Sequence, residues 1–168
     1  MTTTKNRARV AYGLGANLGD SATALAAAAA LLRDALFEGR VASLYRTRPI
    51  SNIPQPDFLN TVVVGFSGLP ARALLDLALD LETLAGRQRG VRHGPRVLDI
   101  DLLLYGDVVS NDPRLTLPHP RLRERRFVLA PLAELDAELS VPPDGATVGS
   151  LLARVGQEAD VERLGPCC

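Results

Sequence analysis

The hydrophobic and polar residues along the chain form two patterns, one typical of strands and one typical of helices. Apolar residues alternate with polar ones or form short continuous runs in four segments, which we predict to be strands: residues 9–14, 40–46, 59–66 and 97–105. Two helices are predicted between them, over residues 21–35 and 70–86, because apolar residues recur there at helical spacing. The order of these elements is therefore β-α-β-β-α-β.

This order is that of the ferredoxin-like arrangement, an α+β fold in which helices pack on a mainly antiparallel sheet. We expect the three layers α-β-α. Two further short helices are predicted over residues 127–135 and 147–155, the second capped by Thr147. The segment with three prolines, residues 47–57, and the arginine-rich segment 86–95 are predicted loops. We predict one domain over residues 1–168, in which the extension 150–168 has no assigned role.

The composition is that of an ordinary globular protein. The 168 residues suit one compact domain, and a hydrophobic fraction of 46% supplies enough apolar side chains for a core. Nineteen basic residues balance nineteen acidic ones, which argues against a general nucleic-acid or membrane-surface binder. The charges are segregated, however, because residues 87–126 carry nine basic and five acidic side chains and residues 127–168 carry two and seven. An arginine-rich centre therefore precedes an acidic tail.

Single residue types exclude several functional classes. The one lysine, Lys5, lies in a polar N-terminal stretch, so the chain has no phosphate-binding loop of the Gly-Lys-Ser/Thr kind. The two cysteines, Cys167 and Cys168, are too few for a disulfide framework, which favours a reduced, cytoplasmic compartment. The alanine-rich uncharged stretch of residues 22–32 has eleven residues and is too short to cross a bilayer, so we predict no membrane association.

A pair of aspartates, Asp99 and Asp101, lies inside an otherwise apolar strand and is the most informative feature of the chain. Residues two apart in a strand share a face, so both carboxylates point the same way, with their Cα atoms about 6.6 Å apart. The two like charges repel, and a hard divalent cation such as Mg²⁺ would relieve that repulsion. The alternative is a plain ion cluster in which Arg92 and Arg96 pair with the aspartates.

Arginines flank the aspartate pair on both sides. They are Arg87, Arg89, Arg92 and Arg96 before it, and Arg114, Arg121, Arg123, Arg125 and Arg126 after it. Metal-assisted phosphoryl transfer needs both carboxylates and arginines. The carboxylates hold the cation, and the cation and the guanidinium groups together stabilise the charge on the phosphates. A solvated basic loop is the competing interpretation.

Weaker signals lie elsewhere in the chain. The glycine-rich residues 13–19 are interpreted as a tight strand-to-helix turn, because the third glycine comes one place too late for a dinucleotide fingerprint. His119, between two prolines, is either a phosphate contact or a surface residue. Glu82 opposes the dipole at the end of a helix, which indicates that another group holds it. Phe58 and Phe127 are either core residues or rings that stack on a ligand.

Residues 92–103, Arg-His-Gly-Pro-Arg-Val-Leu-Asp-Ile-Asp-Leu-Leu, resemble the signature of the 6-hydroxymethyl-7,8-dihydropterin pyrophosphokinase family of folate biosynthesis. The resemblance covers about residues 8–135 and extends to further motifs in the same order: residues 13–19, 45–47, 55–60, 81–82, 118–121 and 125–129. Several separated motifs in one order are more specific than a single motif. The chain departs from the family pattern at Ala16, Ser51, His93 and Arg126, which affects the shape of the loops more than the type of reaction.

The resemblance implies a ferredoxin-like, ATP-dependent diphosphotransferase. Such an enzyme transfers the pyrophosphate of ATP to the hydroxymethyl oxygen of the pterin, uses two Mg²⁺ ions and releases AMP. By resemblance, Asp99 and Asp101 are the metal ligands, and the catalytic group is Arg87, Arg96, Asp99 and Asp101. The implied pterin-binding residues are Thr47, Pro49, Ile50, Phe58, Asn60 and Phe127. The implied ATP-binding residues are Glu82, Arg89, Arg92, Leu102, Arg114, Thr116, His119 and Arg125.

The expected partners are therefore two small molecules, ATP and the pterin, with no nucleic acid and no membrane, and the expected state is a monomer or weak dimer. The rival hypothesis is a non-catalytic ferredoxin-like module that binds RNA or another ligand. Such a module would need exposed aromatic residues on its sheet and a basic excess. The chain has 4% aromatic residues, no tryptophan and no net charge, so we prefer the enzyme.

Overall fold

The computed structural model describes residues 6–88, 90, 92–156 and 161–168. The helices are α1 (Ser21–Ala35), α2 (Ala71–Leu84), α3 (Arg126–Asp136) and α4 (Val148–Arg154). The strands are β1 (Ala8–Ala16), β2 (Phe37–Val41), β3 (Ser43–Thr47), β4 (Phe58–Ser67), β5 (Asp99–Tyr105), β6 (Ser110–Asp112), β7 (Leu115–Leu117), β8 (Ser140–Val141), β9 (Ala146–Thr147) and β10 (Glu162–Pro166). The four predicted helices are all present, and the two short hairpins β6-β7 and β8-β9 were not predicted.

The main sheet has the strand order β10-β3-β4-β1-β5, and β2 also pairs with β4. Its strand pairs are all antiparallel. When β2 and β3 together are taken as the second strand of the βαββαβ unit, this order is the ferredoxin-like one. The predicted α+β fold is confirmed.

The single strand predicted over residues 40–46 is wrong, because the chain forms two strands that separate at Ala42. β2 pairs with residues 63–66 of β4, whereas β3 pairs with residues 58–60. Between them, the Ala42 N–H donates to the Val62 carbonyl and the Thr61 hydroxyl donates to the Ala42 carbonyl, both at 3.0 Å. A side-chain hydroxyl thus takes the place of a backbone donor, which the alternation of apolar residues does not reveal.

Helices cover both faces of the sheet. One core cluster joins the sheet to α1 and α2 and includes Val10, Leu32 and Leu74. The other joins the sheet to α3 and α4 and includes Ala11, Leu129 and Leu151. Val10 and Ala11 are consecutive in β1 and enter different clusters because successive side chains of a strand point to opposite faces. The protein therefore has the expected α-β-α layers.

Short polar side chains start two of the helices. Asp20 caps α1 by accepting from the Thr23 N–H at 3.2 Å, and Thr147 caps α4 by accepting from the Ser150 N–H at 3.1 Å. α1 has 15 residues. In the described part of the chain, no helix combines the length and the apolar character that crossing a membrane requires.

The C-terminal extension contributes a strand to the sheet. β10 pairs antiparallel with β3, with Glu162 opposite Arg46 and Pro166 opposite Ser43, and the Arg46 and Glu162 side chains form an ion pair. Cys167, the next residue, packs against the core cluster on the α1 and α2 side. β10 therefore covers the edge of β3 that would otherwise present unpaired backbone groups.

Candidate active site

Three neighbouring strands place a glycine between two groups of predicted site residues. Gly15 of β1 lies opposite Asn60 of β4 on one side and opposite Asp99 of β5 on the other. Two residues earlier, Gly13 lies opposite Asp101. A Cβ atom on Gly15 would lie only 3.0 Å from Asn60 Oδ1, so any side chain here would push that amide oxygen out of place by a few tenths of an ångström. The row Asn60-Gly15-Asp99 thus crosses the sheet with no side chain at its centre.

A cavity of about 250 Å³, here called the aromatic cavity, opens over this row on the α3 side of the sheet. Its walls include Phe58 at the start of β4 and Phe127 in the first turn of α3. The buried Asn60 donates from Nδ2 to Thr47 Oγ1 at 2.7 Å, which leaves its Oδ1 on the side of Gly15. An oriented amide between aromatic walls suits a flat heterocycle, which stacks on rings and is recognised by its hydrogen-bonding edge.

A second cavity of about 330 Å³, here called the polar cavity, shares Asp99 and Asp101 with the first. Its other walls combine apolar and charged groups that suit a nucleotide, and they include Leu79, Glu82, Arg87, Leu102, Arg114, Thr116 and His119. The two carboxylates therefore lie at the boundary between the aromatic and the polar cavity.

Arg87 neutralises part of this negative charge. Its Nη1 lies 2.8 Å from Asp99 Oδ1 and 2.5 Å from Glu82 Oε2. Glu82 is buried at the end of α2, and its Oε1 accepts from the Ile100 N–H at 2.7 Å. Burial raises the pKa of Glu82, although Ile100 and Arg87 oppose the shift. The group that holds Glu82 against the helix dipole is thus the backbone of β5 together with Arg87, and the ion pair on Asp99 comes from Arg87 rather than from Arg92 or Arg96.

Asp101 has a less favourable environment than Asp99. Burial, and then the negative charge of Asp99, raises the pKa of Asp101 to about 7. His119 Nε2 lies 3.7 Å from Asp101 Oδ2, but burial and the positive charge of Arg125 lower the pKa of His119 to about 4. Because His119 Nδ1 accepts from the Arg121 N–H at 3.2 Å, the neutral imidazole carries its proton on Nε2, which faces Asp101. The neighbour that faces Asp101 is therefore neutral, and the positive charges of Arg125 and Arg87 only partly offset the rise in the pKa of Asp101.

The carboxylate pair fits a hard divalent cation. Both aspartates lie on one face of β5, and their mutual repulsion and burial favour an added positive charge. Within the described ranges, no cluster of three or more His, Cys, Asp or Glu side chains is arranged to hold a metal ion. Mg²⁺ is commonly bound by one or two carboxylates together with phosphate oxygens and water. The pair fits such a shared site, to which a nucleotide would contribute the remaining ligands.

Asn17, which sequence reasoning did not select, connects the loops around the aromatic cavity. Its buried side chain donates from Nδ2 to Gln55 Oε1 and to the Pro56 carbonyl, both at 2.9 Å, and accepts from the Arg96 N–H at 2.8 Å. Gln55 in turn donates from Nε2 to the His93 carbonyl at 3.0 Å. Asparagine is a common turn residue, so its type alone does not indicate this role.

The structure brings most of the predicted site residues to the two cavities. The aromatic cavity is lined by Thr47, Ile50, Phe58, Asn60, Arg92, Arg96, Arg125 and Phe127, and also by Arg48, which was not predicted. The polar cavity is lined by Glu82, Arg87, Leu102, Arg114, Thr116 and His119. Pro49 is described but forms no part of either cavity wall, and Arg89 lies outside the described residues. The individual roles of these residues stay predictions.

Comparisons with known proteins point to one family. The family model described as 7,8-dihydro-6-hydroxymethylpterin-pyrophosphokinase matches residues 11–137. A Methylorubrum extorquens protein named 2-amino-4-hydroxy-6-hydroxymethyldihydropteridine pyrophosphokinase is 41% identical over 158 residues, which cover 93% of this chain and 98% of the relative. A Bacillus subtilis protein of the same name is 43% identical over 129 residues, which cover 75% of this chain and 77% of the relative.

Solved structures agree in fold. A Plasmodium falciparum HPPK-DHPS chain matches with a TM-score of 0.66 at 15% identity, over 88% of this chain. The match covers 41% of that longer chain, so the protein spans about two fifths of it. The rival hypothesis of a non-catalytic RNA-binding module is not favoured, because helices cover both faces of the sheet. The family match over residues 11–137 and the relatives at about 40% identity show that the chain belongs to the 7,8-dihydro-6-hydroxymethylpterin-pyrophosphokinase family.

Proposed function

We propose that this protein transfers the pyrophosphoryl group of ATP to the hydroxymethyl oxygen of 6-hydroxymethyl-7,8-dihydropterin and releases AMP. One observation carries the proposal: Asp99 and Asp101 lie where the aromatic cavity meets the polar cavity. A flat acceptor and a polyanionic donor can therefore meet at the same carboxylate pair. The enzyme would act in the cytoplasm on two small molecules, as a monomer or weak dimer.

The pterin would bind in the aromatic cavity. Its ring would stack between Phe58 and Phe127, and Asn60 Oδ1 would accept from the amide edge of the heterocycle. Thr47 fixes the orientation of the Asn60 amide by accepting its Nδ2 hydrogen. Ile50, which is 81% exposed, and the adjoining Pro49 would become covered when the loop closes on the ring. Burial of that exposed apolar surface would contribute to affinity.

ATP would bind in the polar cavity with its phosphates toward the aspartates. Arg114, Thr116 and His119 would contact the nucleotide, while Leu102 would pack against it and Glu82 would hold the β5 backbone in place. Arg92 and Arg125 lie on the aromatic side of the boundary, where they would reach the transferred phosphates. Arg89, from the arginine-rich segment 86–95 that also contains Arg92, would contact the same phosphates.

The reaction is an in-line displacement at the β-phosphorus. The hydroxymethyl oxygen forms a bond to the β-phosphorus, the bond from this phosphorus to the oxygen shared with the α-phosphate breaks, AMP leaves, and the hydroxyl proton is released. Two Mg²⁺ ions, held by Asp99, Asp101 and phosphate oxygens, would neutralise the charge that develops on the transferred group. Arg87 and Arg96 would add hydrogen bonds to that group in the transition state. The chain itself thus positions two substrates and supplies charge.

Product analysis tests the proposal. The purified protein is incubated with ATP, MgCl₂ and 6-hydroxymethyl-7,8-dihydropterin, and the nucleotides are separated by chromatography. We expect AMP and the pterin diphosphate in equal amounts, and none of either with 6-methyl-7,8-dihydropterin, which lacks the accepting hydroxyl. ADP as the product would show an ordinary kinase, and no pterin-dependent turnover of ATP would overturn the proposal.

A further inference from the structure

Glu134 of α3 is the common acceptor for three donors on β3. The Ser43 N–H donates to Oε1 and Oε2 at 3.2 and 3.1 Å, the Ser43 hydroxyl donates to Oε1 at 2.5 Å, and the Tyr45 hydroxyl donates to Oε2 at 2.8 Å. Ser43 and Tyr45 are both buried. A helix and a strand of the core are thus joined through one carboxylate.

The Glu134 carboxylate is ionised and lies close to a positive charge. Burial would raise the pKa of Glu134, but the hydrogen bonds from Ser43 and Tyr45 outweigh it, so the pKa lies below its usual value. Arg163 of β10 brings a positive charge, with its Nη2 3.5 Å from Glu134 Oε1. Because a carboxylate only accepts, it is suited to a position where the neighbours are donors.

The same helix and strand carry walls of the aromatic cavity. Phe127 precedes Glu134 by seven residues, which is two helical turns, so both side chains leave α3 on the same side, about 10 Å apart along the axis. On β3, the buried residues Ser43, Tyr45 and Thr47 alternate and share a face. Tyr45 lies opposite Asn60, and Thr47 lies opposite Phe58. Where Glu134 holds one end of α3 against β3, Phe127 faces the cavity at the other end.

Glu134 itself is not part of the walls of the aromatic cavity. Its contacts fix α3 against β3, and the distance between those two elements sets the gap between Phe127 and the residues of β3 and β4 across the cavity. A stacked ring needs a gap close to two van der Waals contacts, and a small change in it loses much of the dispersion energy. Affinity for a flat ligand therefore depends on a contact that lies away from the ligand.

We propose that Glu134 is a positioning residue that sets the width of the aromatic cavity through Ser43 and Tyr45, and so determines pterin affinity without touching the pterin. The inference rests on the proposed function, because it takes the pterin to be the occupant of this cavity. Arg163 extends the same contact to β10, which gives the C-terminal strand an indirect part in pterin binding.

Binding measurements test the inference. The dissociation constant of 6-hydroxymethyl-7,8-dihydropterin is measured by calorimetry with the wild type, Glu134→Ala, Glu134→Gln and Tyr45→Phe. We expect Glu134→Ala to bind the pterin about tenfold more weakly and Tyr45→Phe about threefold more weakly, in proportion to the hydrogen bonds lost. Glu134→Gln should recover most of the affinity, because its carbonyl can still accept from Ser43 and its amide can donate to the Tyr45 oxygen. The KM for ATP should change by less than about twofold in all three.

Asp136→Ala is the matched control. Asp136 lies on the same helix, but its Oδ2 accepts from Arg9 Nη2 of β1 at 3.0 Å, away from the aromatic cavity. This variant should lower the melting temperature, as Glu134→Ala does, and leave pterin affinity unchanged. Equal losses of pterin affinity in Asp136→Ala and Glu134→Ala would overturn the inference, because they would reflect general destabilisation.

The outcomes separate the inference from the proposed function. A wild-type protein that does not bind the pterin contradicts the proposed function. A wild type that binds it, together with a Glu134→Ala variant of unchanged affinity, overturns only the positioning role. If Glu134→Ala does not fold, Tyr45→Phe decides the question, since it removes one hydrogen bond and keeps the aromatic ring in place.

Discussion

The Arg87 guanidinium lies on Asp99, with Nη1 2.8 Å from Oδ1, and so occupies an oxygen that a metal ion would need. The same nitrogen contacts Glu82 at 2.5 Å. Arg87 is therefore the counter-ion of Asp99 and Glu82 before substrates bind. We expect a divalent cation that takes that place to release Arg87 toward the phosphates at the boundary of the two cavities.

We expect Arg87→Ala to bind a divalent cation more tightly in the absence of nucleotide, by about fivefold, since one competing ion pair of roughly 1 kcal/mol is removed. Turnover should nevertheless fall at least about a hundredfold, because the guanidinium no longer stabilises the transferred group. A Mn²⁺ titration followed by electron paramagnetic resonance measures the first effect. Arg72→Ala, which removes an exposed ion pair with Asp112, is the control; an Arg87→Ala variant with wild-type Mn²⁺ affinity would contradict the competition.

Asp101→Asn should abolish turnover and stabilise the metal-free protein. The substitution removes a half-buried negative charge beside Asp99 and keeps the shape of the side chain. We expect a melting temperature a few degrees higher in the presence of EDTA, and turnover at least about a thousandfold lower. Asp107→Asn, in the exposed turn after β5, should change neither. Substantial Mg²⁺-dependent activity in Asp101→Asn would refute its role as a metal ligand.

Asn17→Ala should destabilise the protein and loosen the loops around the aromatic cavity. It leaves the Arg96 N–H and the Gln55 amide without their partner, which costs about 2–3 kcal/mol of unfolding free energy. Urea denaturation measures the loss, and steady-state kinetics should show a higher KM for the pterin. Asn52→Ala, at an exposed position of the same loop as Gln55, is the control. Equal stability of Asn17→Ala and the wild type would contradict the prediction.

The ion pair between Arg123 and Asp144 predicts a pH dependence of stability. Arg123 holds the pKa of Asp144 at about 2, below the unfolded value of 3.8. Because the folded pKa is the lower one, the stabilisation is present above pH 3.8 and is lost as the pH falls toward 2. Asp144→Asn should therefore melt below the wild type at neutral pH, and the two melting curves should converge near pH 2. If the difference in melting temperature between Asp144→Asn and the wild type persists unchanged at acid pH, the stabilisation does not come from the ionised Asp144 beside Arg123.

Local rules accounted for the parts of the site that lie within one element. The shared face of Asp99 and Asp101 follows from the two-residue period of a strand, and, outside the site, the predicted cap at Thr147 follows from residue type. The pairing of Arg87 with Asp99, rather than Arg92 or Arg96, depends on how a loop folds back on α2 and β5. No pattern along the chain encodes that distance.

Two other features depended on contacts between distant residues. The separation of β2 from β3 depends on the Thr61 hydroxyl, which only β4 brings to Ala42. β10 is a short, mostly exposed strand with little apolar alternation, and its place at the edge of β3 follows from pairing with that strand. Such pairing cannot be inferred from a sequence segment considered alone.

In the row Asn60-Gly15-Asp99, the distance between the predicted pterin-binding residue Asn60 and the predicted metal ligand Asp99 is set by the backbone. The end residues of this row are two interstrand spacings apart, about 10 Å, and hydrogen bonds of the sheet fix that length. A shift of β1 by one residue would not shorten it but would replace Gly15 at its centre by Leu14 or Ala16, whose side chain would then fill the row. Substitutions in the cavity walls can therefore change the affinity for each substrate. The distance between the ring of an acceptor and its reactive oxygen still has to match the spacing that the sheet fixes.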